Sequence, residues 1–170
     1  MLQPTPTVTT TESTTARERG IAPALLIGGT FLLTTVANFL FNAASAIWGL
    51  QESFGAGGLS RADQLPVIAA LGILGLVVAL VLGEVFKGEK AARGAIVLGI
   101  LSILTLPTFF SGAPAAFGAV AAVRAGFAKG GQPTTGAARG FGIAGIVVAV
   151  LVIVAVFGGN IAGIIENAAA

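Results

Sequence analysis

Three chemically versatile side chains are missing from this 170-residue chain: it has no Cys, no His and no Tyr. Without Cys no disulfide forms, and the sequence carries no mark of its redox compartment. Without Cys and His the usual zinc and haem ligands are gone, and so are the nucleophile–base pairs built on them. Charge is scarce as well. Asp, Glu, Lys and Arg make up 9% of the residues, against roughly 25% in a soluble globular domain. A net charge of +2 leaves no electrostatic footprint for nucleic acid. No Gly-rich phosphate loop follows a strand, and the apolar runs hold neither a carboxylate pair nor a ladder of Arg residues. The chain is not expected to be an enzyme, and no catalytic, cofactor-binding or metal-binding residue is assigned.

What is present is apolar. Hydrophobic residues make up 55% of the chain, with a mean hydropathy of +0.97. Four runs carry no charge: Gly20–Gln51, Gln64–Gly83, Gly94–Val123 and Gly140–Ile165. A spanning helix needs about 20 apolar residues, so each run is long enough. Strict alternation is absent, which argues against a β-barrel. The expected fold is an all-α integral membrane protein whose first partner is the lipid bilayer.

The start, "MLQPTPTVTTTESTTARERG", is not a signal peptide, because its basic residues follow a polar tail and the next apolar run is too long. Residues 1–19 are expected to form a disordered Thr-rich tail. The remaining divisions are a first two-helix segment over 20–91, a hairpin, basic loop and last span over 92–165, and a C-terminal tail over 166–170.

The third run sets the number of crossings. It reads "GAIVLGILSILTLPTFFSGAPAAFGAVAAV", 30 residues from Gly94 to Val123. As one helix it would measure about 45 Å against a hydrocarbon core of about 30 Å. Pro107, Gly112 and Pro114 interrupt its middle, where a helix does not continue easily. The run is either one long kinked span or a tight hairpin with arms near 93–110 and 111–128. The positive-inside rule separates the two. Four spans put Arg17, Arg19, Lys87, Lys90 and Arg93 on one side and Arg61, Arg124, Lys129 and Arg139 on the other, which orients nothing. Five spans put eight basic residues inside and leave Arg61 alone outside. About five transmembrane helices are therefore expected, including a short Pro/Gly-broken hairpin, with the N-terminus cytoplasmic and the C-terminus outside. Four remain if the hairpin is one kinked span. Short arms bring Arg124 near the end of the second, where it would snorkel to the headgroups, and re-entrant arms that do not cross are the alternative.

A weak repeat agrees. "ARGAIVLGI" (Ala92–Ile100) and "ARGFGIAGI" (Ala138–Ile146) share five identities, with Gly99 and Gly145 each six residues after the Arg. In the five-span arrangement both copies start inside and run outward. The apolar hairpin, the basic loop and "GAARGFGIAG" (Gly136–Gly145) leading into the last span resemble the bacterial "domain of unknown function 4190" membrane family. The resemblance covers about residues 92–157. It implies the plasma membrane of a bacterium, of the high-GC Gram-positive kind, and implies no activity and no catalytic residue.

The candidate sites are polar or small residues in apolar surroundings. Thr34, Asn38, Asn42 and Ser45, in "TTVANFLFNAAS", are spaced four, four and three apart and line one helical face. Two Asn in hydrocarbon are costly unless paired. They line a solute path or headgroup site, or they hydrogen-bond to a neighbouring helix and fix packing. Glu84 and Lys87 are three apart and suit a surface ion pair. Gly75, Ala79 and Gly83 form one small-residue ridge, and Gly159 and Gly163 a GxxxG pair, suited to helix packing within the chain or against another. Trp48 and the Phe109–Phe110 pair read as interfacial anchors. The Thr-rich tail offers phosphorylation sites, or is a plain solvated tail.

Three functional expectations follow. The first is a non-enzymatic accessory or scaffold subunit of a larger bacterial membrane complex, with other integral membrane subunits as partners. Respiratory and other energy-transducing complexes are where small cofactor-free subunits are common. The second is a small transporter or channel component using the Thr34–Ser45 face. The third is a signalling or envelope-stress protein switched through the tail.

Overall fold

The computed structural model describes residues 20–49 and 60–169, and helix is the only regular secondary structure among the described residues. The Thr-rich tail, with Arg17 and Arg19, lies outside them. Helix α1 spans Pro23–Ile47 and α2 spans Arg61–Val85. A 3₁₀ turn at Gly88–Lys90 leads into α3, Ala91–Leu104, and a second at Leu106–Ser111 joins it to α4, Ala113–Arg124. Helix α5 runs from Gly136 to Ala169.

The helix ends follow local chemistry. Pro23 sits in the first turn of α1, where its missing N–H costs nothing. The Ser60 hydroxyl caps α2 by accepting from the Asp63 N–H at 3.2 Å. Pro107 and Pro114 occupy first-turn positions of the second 3₁₀ turn and of α4. Gly112 between them has φ +79°, a left-handed conformation that favours Gly. The two prolines and this glycine thus end one helix and begin the next.

Three helices, α1, α2 and α5, are long and apolar enough to cross a membrane. Their outward faces present Leu25, Leu32, Ile73, Leu74, Val81, Val150, Leu151 and Val154. Apolar surface of this extent is unsuited to water. The hairpin arms are shorter than expected. α3 has 14 residues and α4 has 12, about 21 and 18 Å against a core of about 30 Å. The reason is the turn: Leu106–Ser111 forms 3₁₀ turns kinked at Thr108 (φ −99°, ψ 24°), so residues assigned to the arms make the bend. Helix α5 continues to Ala169, so residues 166–169 are its last turn and not a separate tail.

The hairpin starts and ends at the same end of the bundle, here called the base. The Lys129 N–H donates to Ile21 O at 2.9 Å, and Thr134 N–H to Ala125 O at 3.2 Å. The loop between α4 and α5 therefore lies beside the start of α1. α3 and α5, which carry the two repeat copies, both begin at the base and run the same way, joined near it by Ala95, Ala125 and Ala138.

Helix α4 is the axis of the fold. Every residue from Ser111 to Ala122 is buried, enclosed by the other four helices. Its sequence, "APAAFGAVAAVR", makes this possible, since Ala and Gly let neighbours approach to backbone distance. Gly118 and Gly145 pack backbone to backbone, and a Cβ on Gly145 would lie 2.6 Å from Gly118 O. The ridge of Gly75, Ala79 and Gly83 packs against α4: Gly75 on Ala113, Ala79 in the cluster with Ala116, Phe117 and Val120, and Gly83 on Val120. A second cluster joins Ala115 to Val148, Ala149, Val152 and Val156.

Candidate functional site

Thr34, Asn38, Asn42 and Ser45 are all buried. Asn38 is the hub of a polar node. Its Nδ2 donates to Phe110 O at 2.6 Å. Its Oδ1 accepts from Asn160 Nδ2 at 2.9 Å and from Asn42 Nδ2 at 3.2 Å. Asn42 Nδ2 also donates to Asn38 O at 2.9 Å, and Asn160 Nδ2 to Val156 O at 2.7 Å. The node thus ties α1, the hairpin tip and α5 together.

A widened turn of α1 shapes the site. Leu32–Val36 is a π-helical segment, and such segments gather at functional sites. Its extra residue per turn lets the neighbours Thr34 and Thr35 both be buried. Thr30 and Thr34 donate to carbonyls four residues earlier, Leu26 O at 2.7 Å and Thr30 O at 2.8 Å, a back-bond that loosens helices. Thr35 reaches across instead and donates to Ser111 O at 2.7 Å.

Two side chains of α1 therefore satisfy Phe110 O and Ser111 O. These carbonyls lie at the turn, where a helix ends and its acceptors lose their partners. In hydrocarbon an unmatched backbone group costs several kcal/mol. Other bonds complete the tip: Ser102 Oγ to Pro114 O at 2.8 Å, Thr108 Oγ1 to Thr105 O at 2.8 Å, and Ser111 Oγ to Thr108 O at 2.7 Å. The fit is tight. A methyl on Gly112 would lie 2.6 Å from Thr34 Oγ1 and 2.9 Å from Thr35 N.

Thr35 and Asn160 were not among the residues expected from sequence. Asn160 carries the same signal as Asn38, an amide inside an uncharged run. Nothing in sequence spacing joins the two, which lie 122 residues apart. Thr35 falls off the four-residue periodicity and reaches the tip only through the π turn.

Glu84, Lys87 and Arg124 gather at the base. Glu84 and Lys87 form their ion pair, with side chains 63% and 56% exposed. Arg124, at the end of α4, is less open than a snorkelling side chain. Its side chain is 18% exposed, its guanidinium lies over Gly83, and Nη2 is 3.9 Å from Glu84 Oε1. The buried Nε has no hydrogen-bond partner. Arg139 stacks over the Phe127 ring, 5.9 Å from its centroid.

Trp48 is exposed at the end of α1. Phe109 and Phe110 are half-buried at the hairpin tip and touch edge to face at 6.2 Å; Phe109 packs on the Val148–Val152 cluster inside the bundle. Gly163 is buried and Gly159 half-buried, and Asn167 Nδ2 donates to Gly163 O at 2.8 Å. Among the described residues, no three metal-ligating side chains gather around a common point.

No protein-family model, curated protein or solved structure matches this chain.

Proposed function

We propose that the chain is a non-enzymatic integral membrane scaffold or accessory subunit of a larger bacterial membrane complex, with respiratory and other energy-transducing assemblies as the first place to look. The observation that carries this reading is the bonding of Asn38. The most polar face in the apolar part of the chain is engaged with the chain's own hairpin tip and with Asn160. Such an arrangement favours rigidity over passage of a solute. Purification from membranes in mild detergent, with mass spectrometry of comigrating proteins, tests the reading. A stoichiometric large complex is expected; a lone particle that retains no partner contradicts it.

The proposed topology is three crossings and one hairpin that enters and leaves on the cytoplasmic side. This keeps the charge balance of the five-segment layout, with the N-terminus inside and the C-terminus outside. In Thr135→Cys, labelling of the exposed loop by an impermeant maleimide on intact cells would place the base outside and overturn the assignment.

One feature favours the transporter reading as second. The N-terminus of α4 lies at the hairpin tip, beside the π segment, with Gly112 as its side-chain-free N-cap and the Ala113 N–H donating to Ser111 Oγ at 3.2 Å; half-helix ends are similarly placed at transporter sites. In that case Asn38→Leu with Asn42→Leu abolishes transport while the protein still folds. Retained flux in that double variant removes the reading.

A further inference from the structure

We infer that the base of the bundle carries a binding site for one anionic phospholipid, seated between α1 and α2 with its phosphate on Arg124 and Lys87. The site is built by a divergence of two helices. α1 and α2 pack together through Ala37–Ile47 and the facing part of α2, while the Pro23–Phe31 segment of α1 packs on α4 instead. Toward the base they leave a cleft of about 290 Å³, walled by Pro23, Ala24 and Ile27 on one side and Leu80 and Gly83 on the other. Val120, Val123 and Arg124 of α4 form its floor.

The chemistry of the cleft changes along its length. The wall residues, with Val120 and Val123 of the floor, are apolar and suit an acyl chain, while Arg124, Lys87 and Glu84 gather at the base end. An apolar slot ending in cations at the headgroup level fits a lipid whose phosphate is the acceptor. Arg124 is poised for one. Its side chain, 18% exposed, lines the cleft, and the contact of its Nη2 with Glu84 is long, at 3.9 Å. A second cleft of about 490 Å³, lined by Gly88, Glu89 and Gly130–Gln132, lies against Arg124 from the loop side, so a headgroup has room beyond the phosphate. Gly83 keeps the slot open, because a Cβ there would lie 2.8 Å from Val120 and 3.6 Å from the Arg124 guanidinium.

Glu84 opposes an anion and sets the selectivity. It pairs with Lys87, and a phosphate must share both cations with it. Removing this carboxylate in Glu84→Gln therefore strengthens binding.

The test is lipid retention by the purified full chain, read by native mass spectrometry and by thermal unfolding with added phosphatidylglycerol, phosphatidylcholine or inorganic phosphate. One phosphatidylglycerol is expected to be retained about tenfold more tightly than phosphatidylcholine, the scale of one charge-assisted hydrogen bond. Arg124→Gln removes that preference, and Glu84→Gln increases it. Ala24→Trp, at the exposed rim of the cleft, blocks the acyl chain without touching the cations and also removes it; this variant decides the matter if Arg124→Gln fails to fold. Equal retention of the two lipids, or an unchanged preference in folded Arg124→Gln or in Ala24→Trp, overturns the inference. Stabilisation by inorganic phosphate equal to that by phosphatidylglycerol overturns it too, in favour of a free-anion site.

Discussion

The two halves of the bundle are held by different means. Near the base, α4 is surrounded by helices that touch through Gly and Ala, down to the Gly118–Gly145 backbone contact. Beyond the hairpin tip, the described residues supply no fourth or fifth helix to fill the middle. There α1, α2 and α5 close over the tip with longer polar side chains, Asn38, Asn42, Ser45, Gln64 and Asn160, all buried. Small residues let a short helix be enclosed; amides fill the space and satisfy carbonyls where it ends. The first means depends on shape, the second on hydrogen bonds, and they should fail differently.

The largest expected effect is at the close contact. Gly118→Val or Gly145→Val forces α4 and α5 apart and costs about 3 kcal/mol, at the upper end for overpacking. Loss of the folded protein in detergent, followed by size-exclusion chromatography, is the readout. A tolerated valine at either position would mean that the two backbones are not in contact.

The polar half should respond less. Asn38→Leu leaves Phe110 O without its donor and Asn160 without its side-chain acceptor, at a cost of about 2 kcal/mol. Reversible unfolding in mixed micelles measures it. A double-mutant cycle of Asn38 and Asn160 should return a coupling near 0.6 kcal/mol, the average for interhelical bonds in a membrane bundle. Zero coupling would disconnect α5 from the node. The smallest effect is at the exposed base: in detergent free of phospholipid, Lys87→Gln should leave the unfolding midpoint unchanged, because an exposed pair contributes little.

The same contrast governs what was legible in sequence. Pattern sufficed where one helix carried the whole signal. The Thr34–Ser45 face, the Gly75–Gly83 ridge and the Pro107–Pro114 break all follow from spacing along a single element. Charge balance grouped the 124–139 loop with the start of the first run, and the Lys129–Ile21 bond sets it beside the start of α1. Pattern did not suffice where geometry depended on a second element. The arms were drawn too long because nothing in "TLPTFFSGAP" states that Leu106–Ser111 becomes a 3₁₀ turn. The π segment shifts Thr35 inward against the four-residue rule. Asn160 is one amide in an apolar run, and its partner is fixed only by the packing of α5 on α1. Phe109 and Phe110 read as interfacial because they flank a turn, yet that turn lies inside the bundle.

The central claim is that the polar face of α1 is sealed against the hairpin and is not a water-lined path. The absence of native Cys allows a direct measurement. Thr34→Cys and Ser45→Cys are near-isosteric, and each can be exposed in membrane vesicles to a small charged thiosulfonate from either side. No modification before denaturation and full modification after it is the predicted result. Rapid modification of either cysteine in the folded protein would contradict the account and show that water reaches this face.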